Sequence, residues 1–350
     1  MRLYTITASD SGKRLDKWLM ETAPGLGKGG AQKALRNKTA RVNGKHGEAA
    51  TRLGEGDEVK LFLPDDVFEP VEKEDSFLKN FRVHLHILYE DENILLADKK
   101  PGLMSHPDDR ERVNTLLTHI HAYLYQKGEY DSTKKGVFAP ALCNRIDRFT
   151  GGIVIAAKNE ATLKMINAKI AAREIQKFYL CAVHGAMNPQ EGILKNFILK
   201  PQGQRSVQIY ERPVPGAQEA ETGYKTLAAY HGLSLVECEL FTGRTHQIRA
   251  QMAHAGHPLL GDSQYGDKDL DSAAAAAVRQ ALAPRARTAH DDERGLSTRS
   301  NYSAGYQALY AYRVDFGFLS DAGHLNYLRG RSFRAGRVAF ADTLFPGFHL

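Results

Sequence analysis

The stretch that decides the fold is Asn144–Lys158, N-R-I-D-R-F-T-G-G-I-V-I-A-A-K, in which an acid between two arginines precedes a glycine pair and an unbroken apolar run. Such a short apolar run, introduced by glycine, reads as a buried strand. It carries a charged loop at its start. There Arg145 and Arg148 favour the ionised form of Asp147, keeping a carboxylate available as nucleophile or base. The pattern alone serves a structural ion pair equally well.

Working outward, the chain alternates strand and helix patterns. I-L-L-A at Ile94–Ala97 and S-L-V-E-C-E-L at Ser234–Leu240 are apolar strands, Ala161–Arg173 is helical, and the alternation in Tyr306–Phe316 predicts a final strand. Residues 87–320 are therefore expected to form one domain, α+β or mixed α/β. Residues 64–86, with Pro64, Pro70 and clustered acids, have linker composition. Residues 1–63 form a smaller α/β domain: a strand at Leu3–Thr7, a helix on which Leu15, Trp18 and Leu19 recur at helical spacing, a second helix over Ala31–Asn37, a hairpin turning at Asn43-Gly44, and a closing strand. The stretch 267–300, rich in charge and alanine, is expected as an insertion, in part a short exposed helix and in part poorly ordered. Residues 321–350 are left as a carboxyl-terminal tail.

A chain of 350 residues with 42% hydrophobic and 25% charged residues suits two globular domains. Its net charge of +6 is uneven, since residues 1–63 carry twelve Lys and Arg against seven Asp and Glu. A basic amino-terminal segment favours a polyanionic partner. Cys143, Cys181 and Cys238 lie far apart without a C-x-x-C pair, so neither a disulfide framework nor a zinc site is indicated, and a reducing cytoplasm is expected. No run approaches the roughly 20 apolar residues that span a bilayer, and a monomer without membrane attachment is expected.

These motifs resemble those of the RluA-type pseudouridine synthases. Asn144–Gly152 resembles H-R-L-D-R-x-T-S-G, with Asn144, Ile146 and Gly151 in place of histidine, leucine and serine. Phe241–Gly266 resembles the segment carrying T-G-R-x-H-Q-I-R, and Arg173–Gly185 is similar to the K-x-Y-x-A strand. Asp98–Pro107 is similar to the N-K-P-x-G-x-x-x-H-P turn, while Tyr310 stands where the family often has the histidine of L-H-A-x-x-L. Residues 1–63 look like the small RNA-binding module first known from ribosomal protein S-four.

The resemblance implies a pseudouridine-synthase fold, a central mixed and largely antiparallel sheet flanked by helices. It implies that Asp147 is the catalytic carboxylate, that Arg249 pairs with it, and that Tyr179 contacts the uracil ring and assists proton removal. Physically, Arg244 and Arg249 stand at a strand-to-helix junction that holds phosphate or carboxylate, with a structural salt bridge as the alternative. Lys177 is a substrate-binding candidate, Arg145 a candidate to fill the space left by a flipped nucleotide, and Arg148 a further RNA contact. His106 meets a phosphate or is a satisfied structural histidine. Lys28, Lys33, Arg36, Lys38 and Arg41 offer a basic face to RNA phosphates, or are merely a solvated face.

Isomerising uridine breaks the bond from nitrogen 1 to ribose carbon 1 and remakes it at carbon 5, which needs no redox partner or phosphate donor. No P-loop or metal-ligand spacing is present in the sequence, the G-L-G-K-G-G stretch is only a turn, and no cofactor or metal is expected. The expected partner is RNA, with large-subunit ribosomal RNA favoured by resemblance and transfer RNA second. Two rivals stand beside this reading. One is a non-catalytic RNA-binding or ribosome-assembly protein on the same scaffold. The other is a hydrolytic glycosidase, which needs paired carboxylates where these motifs supply only Asp147.

Overall fold

The computed structural model describes residues 1–68, 73–108, 111–134, 136–282 and 306–348. In chain order the elements are β1 (Arg2–Thr5), α1 (Leu15–Thr22), α2 (Gly27–Arg36), β2 (Ala40–Val42), β3 (Lys45–His46), β4 (Glu58–Leu61) and α3 (Lys73–Asn80), all within a first unit, Met1–Asn80. The second unit, Phe81–Leu350, holds β5 (Ile87–Glu90), β6 (Ile94–Lys99), α4 (Leu116–Gln126), β7 (Ala141–Leu142), β8 (Gly151–Ala157), α5 (Glu160–Ala171), β9 (Ile175–His184) and β10 (Glu191–Leu199). It continues through β11 (Gln208–Tyr210), β12 (Gln218–Tyr230), β13 (Leu233–Leu240), α6 (Gln247–His254), α7 (Lys268–Leu282), β14 (Leu309–Phe316), β15 (Ser332–Arg334) and α8 (Ala339–Leu344).

In the first unit the apolar stripe read from sequence is the buried face of α1, with Leu15, Trp18 and Leu19 all inside. They pack over an antiparallel sheet ordered β1-β4-β2-β3. The hairpin turns where Asn43 and Gly44 both take positive φ, +50° and +79°, the geometry that matches strand twist in a two-residue loop. Lys33, Arg36, Lys38 and Arg41 are exposed from the end of α2 into β2. The unit runs past the expected boundary at 63: Val67 and Phe68 pack on its core and α3 ends at Asn80, so much of the expected linker is folded.

The second unit is an eleven-stranded mixed sheet whose main path is β11-β10-β12-β13-β9-β14-β8-β6-β5. Every pairing is antiparallel except β14 with β8. All seven residues of β8 are buried. Val154 and Ala156 point into a core with Ile120 and Val183, whereas Ile153 and Ile155 point into one with Ile166 and Phe316. Covering both faces is what an unbroken apolar run requires, because side chains alternate along a strand.

A second sequence expectation is corrected. Residues 321–350 are not a tail: β15 pairs with β14, and Leu325, Leu328, Val338 and Ala341 are fully buried. Elements this short, separated by glycine and arginine, carry too little periodicity to read. The start of the 267–300 insertion is a fifteen-residue helix, α7, fastened by Asp271, which accepts from Gly261 N at 3.0 Å and lies 2.8 Å from His184 Nε2. Residues 283–300 of that expectation lie outside the described residues.

Gly151 and Tyr310, two departures from the family motifs, face each other in register across β8 and β14. A Cβ on Gly151 would lie 2.4 Å from the Tyr310 ring, and one on Gly152, at φ +114°, would lie 2.2 Å from the carbonyl oxygen of Ala311. Small residues here let β14 approach, and the Tyr310 hydroxyl then reaches Asp98 at 2.5 Å. Gly151→Ser should lower stability by roughly 1–3 kcal/mol through overpacking. In a denaturant double-mutant cycle, adding Tyr310→His should recover at least about 0.5 kcal/mol of that loss, whereas strict additivity would show that the ring does not occupy the space.

Candidate active site

One cavity of about 420 Å³ opens in the second unit where three segments meet. The loop before β8 brings Asp147, β9 brings Lys177 and Tyr179, and the entry to α6 brings His246 and Arg249. The i, i+2 spacing of Lys177 and Tyr179 puts both on one face of a strand.

Arg249 organises the centre. Its Nε and Nη2 donate to both oxygens of Asp262, at 2.7 and 2.9 Å, which fixes the guanidinium plane and leaves Nη1 to donate to Asp147 Oδ2 at 2.9 Å. Burial works against charge on both buried partners, yet their mutual bonds prevail: the Arg249 value is raised and the Asp262 carboxyl is lowered, helped by the amides of Gln264 and Tyr265. Asp147 Oδ1 has no hydrogen-bond partner among the described residues. One oxygen is held while the other is available to a substrate.

The local pattern had Arg145 and Arg148 sustain the Asp147 charge, while the resemblance implied Arg249 as its partner; in the structure the contact is made by Arg249. The chain turns at Arg148, whose Nε donates to Gly102 O at 3.0 Å, and Arg145 is exposed at the cavity rim. Arg148, next to Asp147 in sequence, is thus engaged elsewhere, and proximity along the chain does not become contact in space.

Tyr179 is buried, and burial together with the Asp147 charge raises its phenol well above the ordinary value, so it is protonated at neutral pH. Burial lowers the Lys177 amine, and no partner for it is found among the described residues. Arg244 lines the cavity but spends its Nε on Glu219 O at 2.9 Å. His106 stands outside the lining with its surface largely open to solvent; partial desolvation of its ring and then the Arg145 charge lower its value. Lys33, Arg36, Lys38 and Arg41 belong to the first unit.

Residues passed over in the sequence hold the site together. Lys99, 1% exposed, donates from Nζ to the carbonyls of Lys100, Leu103 and Arg148 at 3.2, 2.7 and 3.0 Å. Ser105 Oγ donates to Ile146 O at 2.9 Å, and Gln307 Nε2 donates to Thr150 Oγ1 at 3.0 Å. Asp262, inside the Phe241–Gly266 segment, is a second acid two bonds of contact from Asp147. The one available signal was the Asp98-Lys99 pair closing the apolar run I-L-L-A, where a charge has to find partners.

Burial pushes Lys99 down to about 7 from 10.5, against the pull of Asp147 and Asp98. Between those values the folded chain gives up a proton that the unfolded chain keeps, and with it one of the three carbonyl bonds, since a neutral amine has two N–H donors; the depressed value makes stability rise with pH through the window. Urea midpoints followed from about pH 7 to about pH 10 should therefore climb less, or fall more, in Lys99→Met than in the wild type. Parallel curves would mean that Lys99 keeps its charge throughout.

A family model described as RNA pseudouridylate synthase matches residues 93–254, a span containing Asp147, Tyr179 and Arg249. Ribosomal large subunit pseudouridine synthase C of Escherichia coli (strain K12) is 31% identical over 278 residues, 77% of this chain and 82% of that protein. Uncharacterized RNA pseudouridine synthase YlyB of Bacillus subtilis (strain 168) is 29% identical over 275 residues, 77% of this chain and 84% of its own. A solved structure titled Human RNA Pseudouridylate Synthase Domain Containing 4 shares the fold at 18% identity and a TM-score of 0.50, covering 71% of this chain and 87% of that one. A match of this identity across most of both chains, with the cavity built from the matched segments, means that the chain belongs to the RNA pseudouridylate synthase family, the isomerases that convert uridine in RNA to pseudouridine, as an RluA-type member.

Proposed function

We propose that the protein isomerises specific uridines in large-subunit ribosomal RNA, with Asp147 as the carboxylate that opens the glycosidic bond. The observation carrying this is the division of labour on Asp147: Oδ2 is bound by Arg249, and Oδ1 is left to a cavity sized for one nucleotide. The relative from Escherichia coli, named for the ribosomal large subunit, supports the choice of RNA.

A uridine in folded RNA hides its glycosidic bond, so it has to be extruded at a cost of about a few kcal/mol. Exposed Arg145 at the rim is placed to enter the vacated space. Lys177, whose amine lines the cavity and donates hydrogen bonds, suits a phosphate or a uracil carbonyl. Asp147 then attacks ribose carbon 1 or removes the proton on carbon 2 to give a glycal, and nitrogen 1 leaves with the bonding pair. The base turns and carbon 5 bonds to carbon 1 of the ribose, either as the bond from Asp147 to carbon 1 breaks or as the proton held on Asp147 returns to carbon 2; the carbon 5 proton is then lost while nitrogen 1 gains one. The net change is an isomerisation. Tyr179, protonated at rest, first contacts the uracil ring and assists the carbon 5 step only after giving up its own proton. A hydrolytic alternative lacks its second acid, since Asp262 is buried and bound through both oxygens to Arg249.

Pseudouridine should be mapped in RNA from cells with the gene deleted and complemented by wild type, Asp147→Ala or Tyr179→Phe. Particular large-subunit uridines should lose modification, wild type should restore them, Asp147→Ala should not, and Tyr179→Phe should act at least about a hundredfold more slowly on purified RNA. Loss confined to transfer RNA would move the substrate, and unchanged RNA would remove the reading. Deuterium on ribose carbon 2 separates the routes, because only the glycal route breaks that bond.

A further inference from the structure

His246 enters α6 with φ +55°, a left-handed conformation that a residue with a β-carbon seldom adopts, and its ring lines the cavity. Nδ1 lies 2.9 Å from the hydroxyl of Tyr265, and that oxygen accepts the backbone N–H of Val207 at 2.7 Å. A backbone N–H only donates, so the phenol proton needs an acceptor elsewhere. Among the described residues Nδ1 is the acceptor within reach. With a proton on Nδ1 instead, two donors would meet on the phenol oxygen and its own proton would be left without a partner.

An imidazole whose Nδ1 accepts carries its proton on Nε2. That Nε2 lies 3.8 Å from Asp147 Oδ2, the oxygen already held by Arg249. Burial lowers the ring's value from that of an ordinary histidine; Asp147 pulls it up, Arg249 pushes it down, Asp262 pulls it up and Lys200 pushes it down, and the net direction is downward, in keeping with an Nδ1 that accepts a hydrogen bond.

We propose that His246 is a positioning residue, a neutral Nε2–H donor that closes onto Oδ2 of Asp147 when RNA fills the cavity. Arg249 and His246 then hold one oxygen from two directions, which fixes the carboxylate plane and aims Oδ1 at the ribose. A shift of less than about 1 Å converts the present separation into a hydrogen bond, the kind of tightening that occurs on substrate binding. The inference rests on Asp147 being the reacting carboxylate. It also gives Tyr265 a task, because that phenol sets the tautomer while its ring lies 5.1 Å under the Arg249 guanidinium.

The tautomer is read directly from nitrogen NMR of the full-length protein labelled with ¹⁵N-histidine. His246 should show a protonated Nε2 and a bare Nδ1, and Tyr265→Phe should yield a mixture of tautomers. In steady-state kinetics on substrate RNA, His246→Ala should lower kcat by about tenfold or more while changing KM by less than about threefold. His246→Gln, whose amide nitrogen falls near the Nε2 position, should recover most of kcat; His246→Asn, whose amide falls near Nδ1, should not. An Nδ1–H ring in an active enzyme, a glutamine variant as slow as the alanine one, or a loss in KM alone would overturn the proposal. If His246→Ala does not fold, the wild-type spectrum and the glutamine variant decide. A wild type that isomerises no RNA would remove the reading of Asp147 itself, and this one with it.

Discussion

A guanidinium taken out of water has to be matched by charge and by hydrogen-bond acceptors, and the candidate site is arranged around that demand at Arg249. The side chain is 5% exposed, and its donors are divided among Asp262, Gln264 and Asp147. Removing one partner from such a group leaves an uncompensated buried charge, at a cost of roughly 3–5 kcal/mol. The requirement ties α6, the turn at 262–265 and the loop before β8 into one assembly. The bidentate bond to Asp262 makes the arrangement directional, because a planar fork held at two corners presents its remaining nitrogen along a single line. Asp147 is thus placed by a group that is itself placed.

The loop carrying Asp147 has no regular secondary structure, and its backbone is held instead by side chains from elsewhere. Lys99 collects three carbonyls, Ser105 meets Ile146 O, and the backbone amide of Ile155 donates to Asn144 Oδ1 at 2.8 Å. That last bond gives Asn144, which replaces the family's histidine, a definite structural use. The close approach of β14 at Gly151 and Gly152 completes the support by bringing Tyr310 over Asp98. Irregular backbone is tolerated at a buried site only where its polar groups are satisfied in this way.

The legible parts of the molecule were those in which one residue's environment is set by its neighbours along the chain. The burial of β8 followed from an apolar run with glycine before it, the face of α1 from the spacing of Leu15, Trp18 and Leu19, and the hairpin from Asn43-Gly44. Motif resemblance added Asp147, Tyr179 and Arg249, which line one cavity although 102 positions separate the first from the last. The packed segment after Ala322 was illegible, because its short elements gain their meaning from β14 and the cores they cover.

By itself the sequence determined the elements, the family and the residue types available for chemistry, since periodicity, turn propensity and motif spacing are properties of neighbours. Only the tertiary structure decided who partners whom. It placed Arg249, the partner that motif resemblance implied, on Asp147 and turned Arg145 and Arg148 elsewhere, made Lys99 a clamp, drew Asp262 into the site and set the His246 ring between Tyr265 and Asp147. The physical reason is range: local conformation is fixed within a few residues, whereas burying charge selects partners by distance in space, and those lie tens of positions apart.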